Sequence, residues 1–201
     1  MIVGVAQRCK QGETACGDLH LVCHTDGRWL VMLSDGSGHG PRAAEASQLA
    51  AEQVQAHASL ALEVILAKCG AVLRGTRGVA LALLRLDLGR REMEFVSVGN
   101  VELRADSRDR IAPVCSPGVV GRPVRKIRRF SYPLHAGDRL VMFTDGISRR
   151  FELGDLGHLS AQDAATQILQ DFGVRHDDAS CLVIDPLPRS PTDAGPAAGS
   201  A

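Results

Sequence analysis

Trp29-Leu30-Val31-Met32-Leu33-Ser34-Asp35-Gly36-Ser37-Gly38-His39-Gly40-Pro41 is the stretch on which the fold turns. Its apolar run, Trp29 to Leu33, has no polar break and reads as a strand buried on both faces, because a half-exposed strand would alternate. The run stops at Asp35, in a loop holding Gly36, Gly38 and Gly40. Pro41 suits the first turn of a helix, where its missing N–H is no loss, and Ala43, Ala44, Ala46, Leu49, Ala50 and Val54 then recur at helical spacing. A buried strand thus delivers a carboxylate onto a glycine loop that enters a long helix.

Working outward, Ile2 to Gln7 reads as a short strand, followed by a polar loop. Asp18 to His24 forms a hairpin with the Trp29 strand through Asp26-Gly27. A second helix is expected from about Ser59 to Leu73, so that two antiparallel helices cover one face. Val79–Leu86 and Glu92–Val98 flank a turn at Asp87–Arg90, and a short strand from Val101 is expected to continue that meander. Gly118–Pro123 reads as loop, Val124–Tyr132 as a charged edge strand, and Asp138–Thr144 as a buried strand stopping at Asp145-Gly146. A helix from Ser160 to Phe172 precedes the last strand, Ala179–Ile184. Hairpins with helices in two separate blocks indicate an α+β domain over residues 1–185, antiparallel sheet covered by helices. Residues 186–201, rich in Pro, Ala and Gly, read as a flexible tail.

The chain has 201 residues, enough for one domain, and its 23 basic and 23 acidic side chains cancel to a formal net charge of +0. No global basic field exists to capture nucleic acid or an anionic membrane, so a partner must be recognised locally. No apolar run approaches the roughly 20 residues of a membrane-spanning helix, and the start MIVGVAQRCK lacks the layout of a secretory signal. A cytoplasmic location is the expectation. Six cysteines without a C-x-x-C pair read as small apolar residues kept reduced.

The chemistry lies in acidic residues placed where buried strands begin or stop: Asp18, Asp35, Asp145 and the pair Asp177-Asp178. A carboxylate at the mouth of an apolar strand suffers desolvation, and several converging there raise one another's pKa values unless cations neutralise them. Oxygen-only ligation, with no His or Cys cluster at ligand spacing, suits Mg²⁺ or Mn²⁺ rather than zinc. Gly36, directly after Asp35, lets the backbone carbonyl approach an ion. A dinucleotide cradle is disfavoured, because Gly36 to Pro41 breaks the G-x-G-x-x-G/A pattern and Asp35 would oppose a pyrophosphate.

Ser34 to Gly40, Val98-Gly99-Asn100, Phe143-Thr144-Asp145-Gly146 and Asp177-Asp178-Ala179-Ser180, in this order, resemble the SpoIIE-like branch of the metal-dependent type 2C protein serine/threonine phosphatases. The resemblance spans about Gly17 to Ile184. Short length and Gly-Asn in place of the commoner Gly-His look most like the branch's stand-alone stressosome phosphatases. The resemblance implies an αββα sandwich with two Mn²⁺ or Mg²⁺ ions at one edge of the sheets. Asp35 would bridge both ions, the Gly36 carbonyl and Asp18 would serve one, and Asp145 and Asp177 the other. Asp178 stands where the wider family often has Asn. Neighbours in an extended segment point opposite ways, so either Asp177 or Asp178 can be the ligand, with Asp177 favoured.

The implied reaction is hydrolysis of phosphoserine or phosphothreonine by a metal-activated water, with no covalent intermediate. The leaving alkoxide needs a proton, for which His39 is the first candidate and His176 the second. The family's phosphate-clamping Arg near the N-terminus has no clear counterpart; Arg8 and Lys10 are the nearby cations. The implied substrates are phosphorylated STAS-domain scaffold proteins. Because the chain opens directly on its first strand, we expect no upstream sensor segment. The cluster Arg122, Arg125, Lys126, Arg128 and Arg129 is expected to dock the phosphoprotein. The competing reading is a catalytically weak phosphoprotein-binding module of the same fold.

Overall fold

The computed structural model describes residues 1–188; the expected tail falls largely on residues 189–201, outside the described residues. Its organising unit is the hairpin of β2 (Asp18–Thr25) and β3 (Arg28–Gly36), joined at Asp26 and Gly27, which both take positive φ as a tight hairpin turn requires. The hairpin register sets Asp18 opposite Asp35. β3 is buried from Leu30 to Ser34, as its unbroken apolar run demands. It feeds α1 (Pro41–Ala56), whose buried side chains Ala43, Ala46, Ser47, Ala50 and Ala51 are small enough to bring the helix close to the sheet.

β4 (Val79–Asp87), β5 (Glu92–Val98) and β7 (Arg129–Pro133) complete a five-stranded antiparallel sheet in the order β2-β3-β4-β5-β7. The second sheet runs β1-β9-β8-β6, from β1 (Ile2–Arg8), β6 (Glu102–Asp106), β8 (Arg139–Phe143) and β9 (Ala179–Asp185). The inner faces meet through Leu33, Leu84 and Phe95 on one side and Leu140, Met142 and Leu182 on the other. Each such fully buried side chain contributes on the order of 1.5–3 kcal/mol. α1 and α2 (Leu62–Val72) cover the outer face of the five-stranded sheet, and α3 (Ala161–Phe172) covers the outer face of the other. The result is the four-layer αββα sandwich, two antiparallel sheets flanked by helices. Among the described residues no helix is long and apolar enough to cross a membrane.

Four expectations need correction. The strand after Asn100 does not continue the meander: β6 crosses to the other sheet and pairs with β8, because Val101 and Leu103 insert into the inter-sheet core. α2 begins at Leu62 rather than Ser59, since the buried Arg85 guanidinium takes the carbonyls of Ala58 and Leu60 at 2.8 and 2.6 Å and holds that segment as a connection. β7 begins only at Arg129, because Val124 and Ile127 turn onto the helix-covered core and residues 124–128 leave the ladder. Only Cys69 and Cys181 are buried; the other four cysteines are half-buried, and all six are free thiols. At the C-terminal end Pro186 is buried and Leu187 packs against the inter-sheet core.

Candidate metal centre

Four strand ends meet at one edge of the sandwich. Asp18 starts β2, Asp35 nearly ends β3, Asp145 follows β8, and Asp177 and Asp178 precede β9. Two glycines let the elements close. A Cβ on Gly36 would lie 2.2 Å from the Ala43 carbonyl oxygen, so only glycine lets the β3 end pack on α1. A Cβ on Gly146 would lie 1.9 Å from the Asp178 carbonyl oxygen, which is how the Asp145 turn reaches the Asp177 segment.

Asp35, Asp145, Asp177 and His39 line a single cavity of about 570 Å³, together with Lys10, Asn100 and His176. Asn100 ties two of the carboxylates together, its Nδ2 donating to Asp35 Oδ2 at 3.1 Å and to Asp145 Oδ2 at 2.6 Å. Asp18 sits behind Asp35 and is 3% exposed. Its Oδ2 accepts from Thr144 Oγ1 at 2.8 Å, while Oδ1 is buried without a partner.

The pair Asp177-Asp178 divides as an extended segment must. Asp177 lines the cavity. Asp178 turns the other way, and its two carboxylate oxygens accept from the backbone N–H groups of Lys10 and Gly17, each at 2.8 Å. It thereby fastens the loop between β1 and β2, on the side where the sulfurs of Cys9 and Cys16 lie within 4.8 Å of its carboxylate. Burial pushes the Cys16 thiol up to about 12, so it stays protonated.

Electrostatically the edge is incomplete. Burial first, and the Asp35 charge second, push the Asp18 carboxyl up to about 8. Burial and then the Asp145 charge push Asp35 up to about 7, against the opposing hydrogen bond from Asn100. Crowded carboxylates, an orphaned buried oxygen and an all-oxygen donor set are what hard divalent cations satisfy. The carboxylates present therefore fit Mg²⁺ or Mn²⁺: Asp35, Asp145 and Asp177 on the cavity, with Asp18 behind them, are the residues that would hold the ions, and Asp178 accepts from backbone donors.

Two features were not visible in the sequence. His39 is held through Nδ1 by Glu13 Oε1 at 2.5 Å, a residue of the β1–β2 loop 26 positions away. Arg8, one candidate for contacting phosphate, instead donates Nη2 to the Val174 carbonyl at 2.9 Å, leaving Lys10 as the cation on the cavity wall. No spacing rule links Glu13 to His39; only the fold brings them together. Asn100 carried a signal, the Gly-Asn step, but not its partners.

Comparison with known proteins agrees with this fold. The family model for stage II sporulation protein E (SpoIIE) matches residues 25–186. The chain is similar to phosphoserine phosphatase RsbX of Bacillus subtilis (strain 168), 27% identical over 146 residues that make up 72% of this chain and 73% of that protein. Among solved structures it superposes on a chain from work on the bacterial stressosome, "a modular system that has been adapted to control secondary messenger signaling", with TM-score 0.87 and 32% identity over 90% of this chain and 97% of the other. The crystal structure of RsbX in complex with magnesium matches with TM-score 0.80 and 24% identity, over 89% and 92%. The family model spans most of the chain, and with it the chain belongs to the SpoIIE family.

Proposed function

We propose that this protein is a metal-dependent phosphatase that hydrolyses phosphoserine or phosphothreonine on a regulatory protein. The observation that carries the reading is the gathering of Asp35, Asp145 and Asp177, from three separate strand ends, on one cavity with the unsatisfied Asp18 behind them. Residues 1–185 form the phosphatase domain in this reading, with Pro186 and Leu187 packed onto its end.

Divalent ions held by these carboxylates would acidify a water and polarise the phosphoryl oxygens, two of them in this reading. In this reading Asp35 would serve both groups of ligands, Asp18 and the Gly36 carbonyl in one and Asp145 and Asp177 in the other. Asn100 fixes the rotamers of Asp35 and Asp145 by donating to both. Lys10 lines the same cavity and offers its ammonium to the phosphoryl group. His39 gives a proton to the departing serine or threonine oxygen, from Nε2, because Glu13 occupies Nδ1. His176, on the same wall, makes no such pairing and is the second candidate.

The likeness to RsbX and to a chain of the stressosome supports a substrate in that setting, a phosphorylated STAS-domain scaffold protein. The location that follows is the cytoplasm. Hydrolysis of p-nitrophenyl phosphate and of phosphoserine, phosphothreonine and phosphotyrosine peptides, after EDTA treatment and titration with Mn²⁺ or Mg²⁺, tests the reading. Turnover of the aryl phosphate and of phosphoserine, restored by metal, is the expected result. Metal-independent binding with no turnover at any ion concentration would favour the phosphoprotein-binding module instead.

A further inference from the structure

We propose that the groove running from Pro117 and Gly118 to Arg125, Lys126 and Arg128 docks an acidic stretch of the phosphoprotein flanking the phosphorylated residue. This rests on the phosphatase reading and adds the class of sequence the site selects.

The groove shares a wall with the reaction cavity. A second cavity, of about 660 Å³, shares Pro117 and Gly118 with the one that holds Asp35 and Asp145. The shared wall is built into the fold. Ser116 N donates to Ser97 O at 2.8 Å and Gly99 N to Ser116 O at 2.9 Å, which fastens the segment beside Asn100. Arg128 N in turn donates to Ser116 Oγ at 3.1 Å, stitching the basic segment onto the same wall.

The charge on this groove is uncompensated. Arg125, Lys126 and Arg128 are exposed, no acidic side chain lines the second cavity, and among the described residues none of the three forms an ion pair. The rest of the expected basic cluster is used differently. Arg129 is committed to Glu63 at 3.3 Å and to Glu94 at 3.1 Å, and Arg122 lines a separate cavity beside Arg74. Charges on an edge strand commonly serve to block sheet-to-sheet pairing. Residues 125–128 lie before β7 begins, so that role does not explain them. In a chain of zero net charge, three cations left without partners on a wall leading out of the reaction cavity are complementary to a local run of Asp or Glu. Because surface ion pairs are individually weak and screened by salt, the groove sets preference more than rate.

The test compares kcat/KM for phosphoserine peptides carrying three acidic residues before or after the phosphoserine with that for a peptide flanked by Ser and Gly, with p-nitrophenyl phosphate alongside. The wild-type protein with Mn²⁺ is expected to prefer one acidic peptide by about tenfold at low salt, a preference that shrinks at 0.5 M NaCl, as expected for a few screened ion pairs. The triple variant R125S/K126S/R128S is expected to lose the preference, and R125K/R128K, which keeps the charge, to retain it. Equal kcat/KM on acidic and neutral peptides in the wild type, or a preference that survives the triple substitution, overturns the proposal while aryl phosphate turnover leaves the phosphatase reading standing. No turnover on any substrate overturns both.

Discussion

Strands β8 and β9 carry charge at both of their ends, and the two ends are built differently. At one end Arg139, with its side chain 5% exposed, donates Nε and Nη2 to the two oxygens of Asp185 at 2.8 Å each, Nη1 to the Leu156 carbonyl and Nη2 to the Leu159 carbonyl. Every charge there is answered within the chain. At the other end Asp145 and Asp177 line one cavity with Asp35 and Lys10, and among the described residues Asp18 keeps a buried oxygen without a partner. Buried charge is tolerated only when it is paired. The first end is therefore a clasp that holds the fold, and in the proposed reading the second is a socket whose counter-charge would be a divalent cation. The difference separates stability from activity along the same two strands, and substitution at each end is the way to break it.

The largest effect is expected at the socket. Asp35→Ala removes the residue proposed to serve both ions and is expected to lower kcat/KM on phosphoserine peptides by about 10³-fold or more. Its melting temperature without metal is expected to match or exceed that of the wild type, since one of several repelling carboxylates has gone. Activity assays with Mn²⁺ and thermal melts in EDTA read the two outcomes, and a fall in stability matching the fall in activity would erase the contrast. At the clasp the signs reverse. Asp185→Ala leaves the buried Arg139 guanidinium without its carboxylate and is expected to cost about 3 kcal/mol of stability. The surviving folded protein at low temperature should turn over substrate at close to the wild-type rate, as urea unfolding paired with an activity assay would show.

A smaller effect concerns pH. The native carboxyls of Asp18 and Asp35 stand at about 8 and about 7, against 3.8 for an ordinary aspartate. Between those values the metal-free native state holds protons that the unfolded chain has released. Stability is thus fully present at low pH and falls as pH rises through the window from about 4 to about 8. Bound divalent ions replace those protons, so Mg²⁺ or Mn²⁺ is expected to raise the melting temperature more at pH 8 than at pH 5.5. In Asp18→Asn the metal-free slope should shrink; a slope unchanged in that variant would place its origin elsewhere in the molecule.

The two ends were not equally readable in the sequence. Asp18, Asp35, Asp145 and Asp177 stand out because each interrupts or borders an apolar run, and the burial that makes the runs obvious also makes the carboxylates anomalous. The layers followed for the same reason: unbroken runs such as Val79 to Leu84 and Leu140 to Phe143 behave as buried strands wherever they pair. What escaped was set by partners distant in the chain. β6 leaves the meander because Leu103 fits the inter-sheet core, and no local pattern distinguishes that from a strand paired with its predecessor. The clasp was invisible because Arg139 and Asp185 are ordinary charges 46 positions apart. The difference between Asp177 and Asp178 comes from two backbone N–H groups, in a loop more than 160 positions away, that donate to Asp178.

The smallest expected effect sharpens the socket itself, by asking whether Glu13 belongs to it. Glu13 and His39 are joined at 2.5 Å, and the partly exposed pair sits where the β1–β2 loop, fastened by Asp178, meets the glycine loop. Arg77 Nη1 reaches the His39 carbonyl at 3.4 Å, so the histidine is held by its ring on one side and its backbone on the other. If Glu13 only ties two loops together, Glu13→Gln should disturb all substrates alike. If it fixes the imidazole with Nε2 toward the leaving oxygen, the loss must depend on the leaving group. A serine alkoxide needs a proton in order to depart, whereas p-nitrophenolate leaves without one. Glu13→Gln is accordingly expected to lower kcat on a phosphoserine peptide by about tenfold, part of the 10²–10⁴-fold that a positioned proton donor supplies, and to change kcat on p-nitrophenyl phosphate by less than about threefold. Glu13→Asp, which keeps the carboxylate but shortens its reach, should fall between the two. Equal losses on both substrates would return Glu13 to a purely structural part, leaving His176 as the proton donor to examine.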